Sequence, residues 1–146
     1  MDKLPTRILL AADDSQDSRL AMEMAAGMAK KLGAELHVVY VALISPWVLT
    51  GRLSDIEYQK IRQEQQGFLD SLVDQIRAMN GEVTESYFRV GQRADDEIIR
   101  LSEELNVDLI VVGSKGKGTL KRALMGSDSE NVVRYSRYPV LVVRDR

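Results

Sequence analysis

The stretch "DLIVVGSKGKGTLKRALMGSDSE", Asp108 to Glu130, sets an apolar run directly against a loop of opposite character. From Gly113 to Ser127 it holds four glycines, four Lys/Arg residues and no acid. A short continuous Val/Ile/Leu run bounded by turn residues has the pattern of a strand buried on both faces, as in parallel sheets covered by helices. The glycine-rich segment then connects the C-terminal end of that strand to a helix. Glycine lets the chain turn sharply and bring backbone N–H groups against an oxyanion. Gly126 and Ser127 stand where the helix opens, and unpaired N–H groups with the positive dipole end favour a phosphate there. The hydroxyls of Ser127 and Ser129 add donors. A plain glycine turn, with Ser127 and Glu130 forming a capping box, accounts for the same residues without a ligand.

Outward from this stretch, the same alternation of strand and helix fills the chain. "RILLAAD" (Arg7–Asp13) is an apolar run ending in acids and Ser15. The following segment predicts a helix with Leu20, Ala21, Met24, Ala25, Met28, Ala29 and Leu32 on its buried stripe, closed by Lys30, Lys31 and Gly33. "AELHVVYVAL" is a second strand. After a loop containing Trp47, a long helix starts at a Ser54/Glu57 capping box, with a stripe of Ile56, Ile61, Phe68, Leu69, Leu72, Val73, Ile76 and Met79. Asn80-Gly81 ends it. "EVTESYFRV" is a half-polar strand suited to a sheet edge, and "ADDEIIRLSEELNV" a helix with acids in its first turn. "YPVLVVRD" closes the chain as a fifth strand. Five alternations with no linker, repeat or low-complexity tract predict a single domain over residues 1–146. Its fold class is a doubly wound α/β arrangement, a five-stranded parallel sheet in the order 3-2-1-4-5 with helices on both faces.

Composition narrows the function classes. The chain has 146 residues, 45% hydrophobic and 29% charged, with a net charge of −2. No apolar run approaches the roughly 18 residues of a membrane span. The N-terminus lacks the form of a signal peptide. There is no cysteine, which excludes disulfides and thiolate chemistry and suits a cytoplasmic location. Residues 1–108 carry a net charge of −7 and residues 109–146 one of +5, so the cations gather on the side of the glycine loop. An acidic chain with few exposed aromatics argues against nucleic acid as the partner.

In an open sheet of this order, ligands sit beyond the strand C-termini at the point where the strand order reverses. Asp13, Asp14 and Ser15 after the first strand should there face the segment from Gly113 onward. Two familiar phosphate motifs are excluded: Gly118 is followed by Thr119 where a P-loop needs Lys, and "AADDSQDS" holds no glycine for a dinucleotide fingerprint.

Gly113-x2-Gly116-x9-Gly126-Ser127 resembles the nucleotide-binding signature of the universal stress protein family. The resemblance extends over nearly the whole chain, through "ILLAADDS", "LHVVYV", "DLIVVGSKGKG" and "ENVVRYSRYPVLVVR". It implies a Rossmann-like domain, commonly a homodimer, in which members with this motif bind ATP. By that likeness Asp13 would contact the ribose, and Val41 would meet the adenine through its backbone. Gly113, Gly116, Gly126, Ser127 and Ser129 would hold the phosphates, with a divalent cation such as Mg or Mn bridging them. Asp14 departs from the pattern, since many relatives carry Gly there, and a carboxylate near phosphates repels them unless it points outward or helps hold the metal. "VLVV" (Val140–Val143) would be an apolar edge strand, and pairing with a second copy is one way to cover it; a C-terminal tail folded over it is another.

The expected function is therefore that of an ATP-binding regulatory sensor or switch, with hydrolysis at most slow. A dedicated slow ATPase is the nearest alternative. A response-regulator receiver would need a phospho-accepting Asp at the end of the third strand, where "ESYFRVG" offers none, and a Lys where Arg144 stands. A Ser-His-Asp hydrolase lacks its elbow motif. The one histidine, His37, begins an apolar strand far from the crevice and is expected to be structural.

Overall fold

The structure is a computed structural model that describes residues 4–13, 15–44, 53–114 and 127–144, with the main chain alone for Ser127. Along these residues run β1 (Arg7–Ala11), α1 (Gln16–Leu32), β2 (Glu35–Leu43), α2 (Asp55–Ala78), β3 (Glu85–Gly91), α3 (Ala94–Leu105), β4 (Leu109–Gly113), α4 (Ser127–Tyr135) and β5 (Val140–Val143). All strand pairings are parallel, in the order β3-β2-β1-β4-β5. This is the expected sheet.

Side-chain alternation along each strand divides the core into two layers. Ile8, Leu10, Val38 and Val111 face α1 and α2, while Leu9, Val39, Ile110 and Val112 face α3 and α4. Both faces of the sheet are thus covered. Ile8, Leu9 and Leu10 are completely buried, and each such side chain contributes about 1.5–3 kcal/mol.

The helices start and stop where side chains satisfy their ends. Ser15 accepts the Ser18 N–H at 3.2 Å. Ser54 and Glu57 form the expected reciprocal box, at 3.2 and 3.1 Å. Gly33 closes α1 at φ 64°, and Asn106 closes α3 at φ 51°. The α4 helix begins at Ser127, so the expected second capping box rests on a side chain outside the described residues.

Two predicted stripes need correction. In α1 the buried side is Ala21, Met22, Ala25, Ala26 and Ala29, whereas Met24 and Leu32 are exposed. The small residues face inward because the helix start lies very close to the sheet. A Cβ on Gly113 would stand 2.8 Å from the Asp17 carbonyl carbon and 3.0 Å from the Ser18 nitrogen. In α2 the buried stripe shrinks to Leu69, Leu72, Val73 and Ile76. Ile56 is 83% exposed, and Phe68 and Met79 are also exposed. The first half of this helix touches the sheet through only Tyr58 and Ile61 among its apolar residues.

His37 is buried, as expected of a structural residue, with one ring nitrogen 2.9 Å from the Tyr87 hydroxyl and the other 2.8 Å from Glu35. Among the described residues no helix is long and apolar enough to cross a membrane.

Candidate functional site

Strand lengths create the site. Ala11, the last residue of β1, pairs with Val39, and Ala12 donates to the Val39 carbonyl at 3.2 Å. Beyond that point β2 continues to Leu43 while β1 has ended. On one strand, residues of like parity direct N–H and C=O to the same side. Val39 faces β1, so Val41 directs its N–H and C=O toward the gap that β1 leaves. Ile44, of opposite parity, donates to Gly91 of β3 at 3.0 Å. The same gap is bounded by the end of β4, where the strand order reverses.

A crevice of about 260 Å³ occupies this position. One part of its wall is apolar, made by Val39, Val41, Leu43, Ala94, Ile98 and Val132. The polar part comprises Asp13, Ser15, Ser18, Gln65, Asp128 and Ser129, with Gly113 at the strand end. Among these described lining residues there is no Lys or Arg.

The sequence-predicted residues divide as follows. Asp13, Val41, Gly113 and Ser129 come together in the crevice, although Asp13 and Gly113 are 100 positions apart. Ser127 begins α4 beside them, and the helix's first N–H groups have no intrahelical partner. Gly116 and Gly126 lie outside the described residues, as do Asp14, Trp47 and the cations of the glycine loop.

Asp13 is held by a local turn. Its N–H donates to Ser18 Oγ at 2.6 Å, and its Oδ1 accepts the Ser15 N–H at 2.8 Å. That short-range pattern fixes the carboxylate at the helix start. Ser129 is buried and its hydroxyl donates to the Gly113 carbonyl, joining α4 to the end of β4. In this arrangement its proton is committed, and what it still offers a ligand is its backbone N–H. Ser114 similarly donates to Asp17, both buried, which ties the root of the glycine loop to α1.

Sequence reasoning missed three features. Gln65 reaches the crevice from α2, its Oε1 accepting the Tyr40 hydroxyl at 3.0 Å, while the Tyr40 ring packs between Phe68 and Phe88. Ser18 supports Asp13. The third is Asp128, which lies half-buried on the first turn of α4 and lines the crevice. Burial pushes its carboxyl above the ordinary range, and the charges of Asp95 and Asp13 push the same way, against a hydrogen bond from the Asp95 backbone and the charge of Arg93.

Behind Asp128, Asp95 is 2% exposed and accepts Arg93 through two bonds, of 3.1 and 2.7 Å. It also accepts the Asp96 N–H at 2.9 Å and the Asn131 side chain from α4. Arg93 is the chief cause that holds the Asp95 carboxyl below the ordinary range. The pattern A-D-D at the start of α3 showed acids suited to a helix dipole, but not that the first of them would be buried.

Comparison with known proteins places this geometry. The model of the universal stress protein family matches residues 5–144. A universal stress protein of Methanocaldococcus jannaschii is 32% identical over 145 residues, covering 98% of this chain and 84% of the relative. One from Bacillus subtilis is 33% identical over 147 residues, covering 94% and 98%. Among solved structures, a hypothetical protein determined as a test case of structural genomics aligns with TM-score 0.77 at 25% identity, over 98% of both chains. A universal stress protein solved in complex with cAMP aligns with TM-score 0.69 at 25% identity, over 97% and 98%. Another, from Archaeoglobus fulgidus in complex with dAMP, shares the fold with TM-score 0.68 at 23% identity, over 96% and 98%. The five-stranded parallel sheet with helices around it is the Rossmann-like arrangement of these neighbours.

Proposed function

This chain belongs to the universal stress protein family, and from that premise we propose that its crevice binds an adenine nucleotide, ATP with Mg or Mn, as a regulatory sensor or switch. The observation that carries the reading is the main chain of Val41, which turns a donor and an acceptor into the apolar part of the crevice beside Asp13. Adenine presents a ring-nitrogen acceptor next to an amino donor, so one residue's N–H and C=O can meet both. Guanine presents the reverse order and is refused by the same pair. Asp13, fixed by Ser15 and Ser18, would accept ribose hydroxyls. The start of α4, with Gly113 and Ser129, offers N–H groups to a phosphate, and Gly116, Gly126 and Ser127 complete that seat in the proposed motif. The neighbour solved with cAMP supports a ligand of this class.

Among the described residues no group of three acidic or histidine donors is placed to hold a metal ion. The donor set fits a divalent cation that arrives on the nucleotide phosphates and keeps its waters, the usual habit of Mg. Such an ion would neutralise phosphate charge. Rapid phosphoryl transfer requires a positioned base and cations that follow the developing charge, and the cations of the glycine loop lie outside the described residues. Binding, with hydrolysis at most slow, is the function proposed.

The test is calorimetry of the purified protein with ATP and GTP in Mg²⁺, with mass spectrometry of any nucleotide released on denaturation. Adenine nucleotide at near one per chain and a preference over GTP are expected. No binding of any adenine nucleotide, or equal binding of GTP, defeats the reading. Phosphate release in the ordinary enzymatic range of about 1–1000 per second would make it an enzyme instead.

A further inference from the structure

Among the described residues, the charges around the proposed phosphate seat are acidic. Asp128 sits on the first turn of α4, the turn whose N–H groups would hold a phosphate, and it lines the same crevice as Asp13, Gly113 and Ser129. A carboxylate on a helix's first turn already satisfies the positive dipole end. It therefore competes with an incoming anion for the same field and repels it directly.

Among the described residues, the groups facing Asp128 do not cancel this. Asp13 approaches from the end of β1 and Asp95 from the start of α3, both acidic. Arg93, the residue before α3, is doubly hydrogen-bonded to Asp95 and lies 3.9 Å from Asp96, so its charge is shared among carboxylates. The Asp95 backbone N–H bonds the Asp128 carboxylate and keeps it in place.

We infer that Asp128 is a specificity-determining residue that sets the charge state of nucleotide the crevice accepts, discriminating against bare polyphosphate and admitting neutral, low-charge or cation-neutralised adenine ligands. This rests on the adenine-nucleotide reading above and adds to it the filter on phosphate charge. Burial raises the Asp128 carboxyl, so a proton can also relieve the repulsion. The residue acts on the ligand by its charge, with no bond made or broken.

The experiment compares adenosine, AMP, ADP and ATP in Mg²⁺-free buffer by calorimetry, for the wild type, Asp128→Asn and Asp96→Asn. Asn at 128 keeps an acceptor for the Asp95 N–H. Asp96, with a side chain 60% exposed and outside the crevice lining, controls for the loss of one nearby negative charge. In the wild type, affinity should stay level or fall as phosphates are added, and Mg²⁺ should restore ATP. In Asp128→Asn, Mg²⁺-free ATP should bind about tenfold tighter, the scale of one unit-charge repulsion across roughly 12 Å at an effective dielectric constant of about 20, with adenosine changed less than about twofold. A phosphate ladder in Asp128→Asn parallel to the wild type overturns the inference, as does an equal gain in Asp96→Asn. If Asp128→Asn fails to fold, Asp128→Ser with thermal unfolding as a check replaces it under the same criteria. Wild-type protein that binds none of the four, adenosine included, defeats the nucleotide reading itself, and this inference with it. Wild-type binding with an unmoved variant defeats the inference alone.

Discussion

At the scale of the residue, Gly113 and Ser129 have packing roles that their motif does not record. A glycine in a phosphate loop is usually explained by backbone freedom toward a ligand. At Gly113 the structure supplies another reason: the first turn of α1 leaves no space for a Cβ, and the obstructing atoms are backbone. Gly113→Ala should therefore cost about 1–3 kcal/mol by over-packing, measured by denaturant unfolding without ligand. A loss below about 0.5 kcal/mol would show that α1 can move aside. Ser129 donates its hydroxyl proton to the Gly113 carbonyl and so ties α4 to the end of β4. None of this was legible in the sequence, because a motif records which residue stands at a position and not which neighbour forbids its alternatives. Asp128 escaped for a related reason. In "GSDSE" the serines draw attention as caps and donors, and only the start and phase of α4 turn the aspartate into the crevice.

At the scale of the element, strands were far more legible than helix faces. The runs "ILLA" and "LIVV" are apolar throughout because both faces are covered, and such runs have no phase to misjudge. Helix α1 does have a phase, but four alanines and five methionines and leucines spread around it give a weak contrast. Packing against a close-lying sheet, and not hydrophobicity, selected the alanine side. The pairing of α3 with α4 was not legible at all, since it depends on the buried Asp95 gathering Arg93 and Asn131. Asp95→Asn should lower stability by about 1–3 kcal/mol at neutral pH. A carboxyl held below its ordinary value of 3.8 contributes stability that is present above that value and lost as pH falls through the lower folded value. The difference between variant and wild type should accordingly shrink in acid, as followed by thermal unfolding from pH 7 to pH 3. A difference that stays constant over that range would assign the role of Asp95 to packing alone.

At the scale of the whole molecule, the sheet order brings the ends of β1 and β4, far apart in sequence, to one crevice, and it leaves β5 as an edge. All four of its residues are half-buried. Ile110 donates to the Pro139 carbonyl and Ser114 to that of Val143, so the odd positions face β4 and Val140 and Val142 direct their main chain outward. The homodimer we propose pairs this edge with its counterpart in a second copy, a closed isologous contact. Val142→Pro removes one outward N–H and no bond to β4, a substitution edge strands tolerate. Light scattering should give twice the chain mass for the wild type and a single chain mass for the variant, with circular dichroism unchanged. A monomeric wild type would leave this edge to some other cover.

The ending of β1 before β2 has one more consequence. If the base meets only the peptide group of Val41, then no side-chain replacement at that position can rewrite which base is accepted. The charge filter, in contrast, hangs on the side chain of Asp128, one codon away from neutrality. Lineages carrying this architecture would then be free to drift in how many phosphates they tolerate while remaining bound to adenine.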